Sequence, residues 1–333
     1  MNIRLSLNGI GICMSKIFFS FLVFLFTVSV ISCKKEPLAP ISSNNLSAES
    51  LTMSDADKAS AAFPNYGAWI SGHTIHKQME GCNKLKVKYV RDGITLKSFN
   101  GKSSSMDNYL KNGYKILLNI SYQSFSDKAV PFPTNMKEYK KLLNKVFDKY
   151  KPEIAIIENE PTTDKFHKGP IEDYITELKA AVAVCKDRGV KVADGSLNLQ
   201  LVQQVMNGYN NKTANYIETK KLIEAYKTID LDYVNIHTHA PFTSHDNPDV
   251  FPDGVLKNVA NYIRKETGKQ VICNEYNQRN NSTALMRSAV NAFENAGFKY
   301  FVAHSNDDDG KAKALYTGIK LTRIGEAYRD AKK

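Results

Sequence analysis

From residue 66 onward, short apolar runs alternate with longer stretches in which apolar positions recur every three or four residues. The short runs predict strands at 66–70, 87–91, 114–120, 153–160, 190–193, 231–236, 269–276 and 299–303. The longer stretches predict helices through Ile75 and Met79 and over 105–111, 135–150, 171–188, 198–208, 213–228, 254–267, 282–296 and 316–331. Met136, Tyr139, Leu142, Leu143, Val146 and Phe147 mark one face of the third helix. Gly113, Gly189, Gly268 and Gly297 each stand between a helix and the next strand, where glycine takes the left-handed C-cap conformation. Eight strands with helices between them predict an α/β fold, a single (β/α)8 TIM barrel over residues 63–333. A doubly wound open sheet would use the same alternation. It would carry a glycine-rich turn after its first strand, and the sequence has no G-x-G-x-x-G.

The start of the chain has a different pattern. Lys16, the apolar run from Ile17 to Ile31 and the small-residue site Val30-Ile31-Ser32-Cys33 form a secretory signal over residues 1–33, with Met14 as the expected true start. The run is too short for a comfortable transmembrane helix. A small residue followed by Cys33 resembles a bacterial lipobox, which implies cleavage before Cys33, lipidation of its thiol and a membrane tether. The alternative is an ordinary signal peptide with an incidental cysteine. Residues 34–62, rich in Ser, Ala and Asn, predict a flexible tether. Lys34-Lys35-Glu36 resembles the surface-export signal of Bacteroidetes lipoproteins. The expected location is therefore the cell envelope, lipid-anchored at the outer membrane on its periplasmic or surface-exposed face.

Composition narrows the function. The formal charge of +11 comes from lysines scattered along helices, such as Lys137, Lys140, Lys141, Lys145 and Lys149. No block of basic residues is interleaved with aromatics, so no nucleic acid is expected as a partner. An acidic polymer or a solvated helix face would account for the charge. Cys82, Cys185 and Cys273, widely spaced and odd in number, argue against a disulfide framework or a C-x-x-C zinc site. No cofactor or metal is expected, and a monomer is.

Two of the predicted strands share an ending. Residues 153–161 run Glu-Ile-Ala-Ile-Ile-Glu-Asn-Glu-Pro, and residues 269–276 run Lys-Gln-Val-Ile-Cys-Asn-Glu-Tyr. Each is an apolar run that stops at Asn-Glu, and Pro161 biases Glu160 away from helical geometry. Either pair could simply cap a strand at a solvent edge. Two carboxylates converging on one barrel mouth are the minimum equipment for hydrolysing a glycosidic bond. The other strand ends add Trp69, Arg91-Asp92, Asn119, Tyr122, Asp194, Asn198, His237, His239, Tyr276, His304, Asn306 and Asp307.

These residues resemble the clan A glycoside hydrolases, retaining enzymes on this barrel with Asn-Glu-Pro ending strand four and a second Glu ending strand seven. Asn159-Glu160-Pro161 and Glu275 match in type and strand number, Arg91 matches an Arg ending strand two, and His237 matches a His on strand six. The resemblance spans residues 66–331 and departs at two places. His239 stands where the clan usually has Tyr, and no Trp ends strand eight, where either His304 stands in or the floor is missing; Trp69 is the sole tryptophan.

The resemblance implies a retaining glycosidase acting on a poly- or oligosaccharide, with Glu275 as nucleophile and Glu160 as acid/base. Arg91, Asn159, His237, His239, Tyr122, Tyr276, His304 and Trp69 would bind substrate. Two carboxyls about 5 Å apart should raise the pKa of Glu160 through the charge of Glu275. Arg91 could instead pair with Asp92. His237-Thr238-His239 could aim both imidazoles inward toward a metal, but the other ligands that such a site needs are missing. The competing class is a non-catalytic carbohydrate-binding envelope lipoprotein on a degenerate barrel.

Overall fold

A computed structural model describes residues 64–124, 128–240, 249–306 and 314–332. The signal segment with Cys33, the tether, His245 and residues 307–309 lie outside the described residues.

Eight parallel strands close into a barrel: β1 (Asn65–Ser71), β2 (Tyr89–Thr95), β3 (Lys115–Ser121), β4 (Ile154–Ile157), β5 (Lys191–Ala193), β6 (Tyr233–Ala240), β7 (Gln270–Gln278) and β8 (Tyr300–Asn306). Each strand pairs with the next, and β8 pairs back onto β1 from Asn65↔Tyr300 to Ser71↔Asn306, which closes the ring. The fold is a (β/α)8 barrel. The helices are α1 (Ile75–Lys84), α2 (Ser104–Lys111), α3 (Met136–Lys149), α4 (Ile171–Asp187), α5 (Leu199–Met206), α6 (Ala214–Tyr226), α7 (Asp253–Thr267), α8 (Thr283–Asn295) and α9 (Arg323–Ala331).

Local chemistry sets the helix ends. Asn135, Asn198, Ser282 and Thr322 each accept a backbone N–H of the following turn, satisfying an otherwise orphaned donor. The last helix is shorter than its periodicity suggests. Gly318 turns at φ +82°, Tyr316 bridges Leu321, and Thr322 caps α9 only afterwards. Tyr316 and Leu321 thus belong to a turn and bury against the outer core, while Ile319 at the turn is exposed.

Alternation along the strands divides the core in two. Leu117, Ile154, Ile156, Ala193, Ile272, Tyr300 and Val302 fill the barrel, with Trp69, Tyr89 and Tyr233 against them. The larger core lies between barrel wall and helices, and includes Ile120, Ile157, Tyr276, Phe293 and Phe301. All four residues of β4 are fully buried, facing one core or the other. Burial at about 1.5–3 kcal/mol per large apolar side chain makes this strand a rigid mount for the turn at its C-terminal end.

Candidate active site

The chain leaves β4 through two left-handed residues, Glu158 at φ +63° and Glu160 at φ +46°. A side chain in that region costs about 1–2 kcal/mol, so the surroundings must hold it. Glu160 N–H donates to the Gly195 carbonyl at 2.9 Å, and its own carbonyl accepts from Thr163 N–H at 2.9 Å. Gly195 is required here, because a Cβ would stand 2.5 Å from the backbone carbonyl oxygen of Ile157. The double turn aims Glu158 outward into the shell and Glu160 into the barrel mouth.

Glu275 reaches the mouth by another device. On β7 the register slips between Ile272 and Tyr276 on the side of β6, and between Cys273 and Tyr276 on the side of β8. This bulge lets two consecutive residues, Asn274 and Glu275, face inward. It also reverses the parity of the next residue. Tyr276 is packed among Phe251, Phe293 and Phe301 in the shell, away from the mouth where the sequence places it. Tyr122 is likewise a shell residue, edge-on to Tyr139 with its N–H donating to Glu158 Oε1 at 2.6 Å.

The two carboxylates meet at one imidazole. His237 Nδ1 lies 2.9 Å from Glu160 Oε1 and 3.9 Å from Glu275 Oε2, so the two oxygens are no more than about 7 Å apart. His239, on the same face of β6, brings Nε2 to 3.8 Å from Glu160 Oε1. Arg91 Nη1 donates to Glu275 Oε2, while Nη2 donates to Asn159 Oδ1 at 2.8 Å. The partner of Arg91 is therefore Glu275; Asp92 points to the other face and accepts from Gly93 N–H at 2.8 Å. His304 Nδ1 stands 3.9 Å from Glu275 Oε1.

Trp69 is positioned differently from a sugar platform. Its ring stacks on His304 with centroids 4.1 Å apart and planes 17° apart, and the Arg91 guanidinium lies 4.2 Å from the ring centroid. Because β1 lies between β2 and β8, these two groups approach from opposite sides and cover both faces.

Charge follows from these contacts. Burial alone would raise the Glu275 carboxyl, but Arg91, His237 and His304 hold it at about 2. Burial would raise Glu160 as well, yet the hydrogen bond with His237 and the charge of His237 and His239 hold it below the ordinary carboxylate range. This corrects the expectation from sequence: at Glu160 the two imidazoles outweigh burial, and the repulsion between the carboxyls bears on Glu275 instead.

The other strand ends support rather than line the mouth. Asp194, pushed up to about 6 by burial, accepts from Asn235 N–H, Ser196 N–H and the Tyr226 hydroxyl. Asn198 caps α5. Sequence reasoning passed over Asn235, Asn274 and Ser71. Asn235 was detectable as the third polar residue on the inward face of β6, two positions before His237. Ser71 is two positions after Trp69 and its hydroxyl lies 3.1 Å from His304 Nε2. Among the described residues no three His, Cys, Asp or Glu side chains are grouped to hold a metal ion.

No protein-family model matches the sequence, and no curated protein matches it. The fold does match solved structures. A glucosidase from Croceicoccus marinus aligns at TM-score 0.62 and 12% identity over 81% of this chain and 67% of its own. A family 39 glycoside hydrolase from Bacteroides cellulosilyticus aligns at 0.58 and 13% over 82% and 64%. A broad-specificity family 5 endoglucanase from Clostridium longisporum aligns at 0.56 and 13% over 83% and 97%. The barrel therefore has structural neighbours among clan A glycoside hydrolases, at identities that speak to fold alone.

Proposed function

We propose that the protein is a retaining glycoside hydrolase that cleaves O-glycosidic bonds of a poly- or oligosaccharide by double displacement. The observation that carries this reading is the convergence of Glu160 and Glu275 on His237 Nδ1, with Arg91 paired to Glu275. Glu275, ionised at neutral pH, attacks the anomeric carbon as the bond to the leaving oxygen breaks. A proton from the Glu160 side goes to that oxygen. Water then attacks the glycosyl-enzyme, gives its proton back to the same side and releases Glu275. Asn159 accepts from Arg91 through Oδ1, which leaves its amide nitrogen to donate to the sugar 2-hydroxyl. His239 and His304 border the two carboxylates and contact the same sugar.

A non-catalytic carbohydrate-binding role is the second reading, favoured by the depressed Glu160 carboxyl, a poor proton donor. A screen on aryl glycosides and on plant, algal and microbial polysaccharides separates the two. For the enzyme, Glu275→Ala loses nearly all activity on every leaving group. Glu160→Ala keeps the first step on activated aryl glycosides and is rescued by azide. Polysaccharide binding with no hydrolysis by the wild type supports the second reading. The lipobox-like Val30-Ile31-Ser32-Cys33 supports the further proposal that the enzyme is anchored in the cell envelope through Cys33.

A further inference from the structure

Beneath the carboxylates runs a row of three buried amides whose hydrogen bonds have one possible direction. At one end the backbone N–H of Asn274, which can only donate, points at Asn235 at 3.1 Å, so the atom it meets is Oδ1. Asn235 Nδ2 therefore donates to Asn274 at 2.7 Å, which makes that acceptor Asn274 Oδ1. Asn274 Nδ2 must then donate to Asn119 Oδ1 at 2.7 Å. At the far end Asn119 Nδ2 donates at 3.3 Å to the carbonyl of Glu158, which can only accept. Both ends are main-chain groups that cannot reorient, and all three amides are buried. The same Asn274 Oδ1 lies 2.7 Å from His237 Nε2. An oxygen there can only accept.

We infer that Asn119, Asn274 and Asn235 lock His237 in the tautomer with hydrogen on Nε2, so that His237 and Glu160 form a dyad holding one transferable proton. This rests on the retaining glycosidase reading. With Nε2–H fixed, the 2.9 Å contact between His237 Nδ1 and Glu160 Oε1 needs one proton between them. The proton resides on the ring, as imidazolium against carboxylate, or on the carboxyl, donating to neutral imidazole. The other neutral tautomer would donate Nδ1–H to a carboxylate and leave nothing to give a leaving group.

In the first displacement the dyad proton crosses to Glu160 Oε1 and on to the leaving oxygen, as that oxygen parts from the anomeric carbon and Glu275 bonds to it. The dyad is then a carboxylate facing the Nδ1 lone pair, an arrangement that favours taking up a proton. In the second displacement the attacking water supplies it, its oxygen bonds to the anomeric carbon, and Glu275 leaves as carboxylate. His237 is the proton store, and the three asparagines are positioning residues. A depressed Glu160 carboxyl is thereby reconciled with acid catalysis.

The test is two-bond 1H–15N correlation on 15N-histidine-labelled protein, with His237 assigned by difference from His237→Gln. The pH is raised until the ring is neutral. The wild type should then show the Nε2–H tautomer, and neutral Nδ1–H would overturn the inference. Either end alone fixes the direction of the row, so the release variant is the double Asn235→Ala/Asn119→Leu, which frees the Asn274 amide to turn its nitrogen toward the ring and should shift His237 toward Nδ1–H. Asn274→Asp keeps an acceptor there and should retain Nε2–H. Asn235→Ala alone and Asn119→Leu alone each leave the other end in place and should retain Nε2–H. An unchanged tautomer in a folded release variant would defeat the lock. The measurement needs no substrate, so failure to cleave any sugar would defeat the glycosidase reading and leave the tautomer result standing.

Discussion

Trp69 and His304 stack at 4.1 Å on neighbouring strands, and Arg91 closes the other face of the indole. The sole tryptophan is thus part of the wall that holds Glu275 and its partners. Saturating oligosaccharide should leave its emission maximum unchanged, whereas His304→Ala should shift it by opening one face to water. A large shift on sugar binding in the wild type would show that Trp69 contacts the sugar.

Arg91 joins the nucleophile candidate to the acid strand. It is buried and its partner Glu275 nearly so, and removing one member of such a pair leaves a charge without compensation. Arg91→Met should lower the unfolding free energy by about 3–5 kcal/mol in urea titrations. Arg91→Lys keeps the charge but cannot reach Glu275 and Asn159 together, and should fall between the two. Equal midpoints for all three proteins would refute this.

The shell carries a second carboxyl pair. Burial holds Glu158 at about 7 and Glu177 well above its usual range, with the charge of Glu158 adding to the rise at Glu177. The folded protein retains protons there that the unfolded chain releases near pH ~4.3. The contribution of the pair is full below that pH and is lost as pH rises through about 7. Glu177→Gln, permanently neutral, should therefore gain thermal stability over the wild type, and the gain should widen between pH 5 and pH 8. A difference independent of pH would contradict the retained protons.

For the start of the chain, the wild type should sediment with membranes, and Cys33→Ser should be released or mislocalised. Wild-type protein free in the cytoplasm would disprove the anchor.

The barrel was legible because buried parallel strands and amphipathic helices leave unlike periods in the sequence, and all eight strands lie where the apolar runs place them. Arg91, Asn159, Glu160, His237, His239, Glu275 and His304 were legible as polar residues ending those runs. The structure gathers them around the two carboxylates. Tyr276 was misplaced because the β7 bulge breaks the two-residue period, and a bulge has no signature in a run such as Val-Ile-Cys-Asn-Glu-Tyr. The charge on Glu160 was misjudged because it depends on two side chains about eighty positions away. The amide row was hidden for a related reason: its members lie on β3, β6 and β7, and only closure of the barrel brings them together.

The ring of strands is uneven. β5 is three residues long and meets β6 through a single register pair, Ala193↔Tyr233, before the chain turns at Asp194 and Gly195. Pairing with β6 resumes only at Leu197↔Ile236 and Asn198↔His237, so the gap at Asp194–Ser196 interrupts the ladder and local opening is expected there. Gly195 carries the carbonyl that holds the Glu160 amide, so each such opening loosens the acid strand while Glu275, gripped by Arg91 across the mouth, stays in place. Amide exchange at Glu160 would report this breathing, fast beside the slow amides of β7, and thermal inactivation would start at the proton donor rather than at the nucleophile.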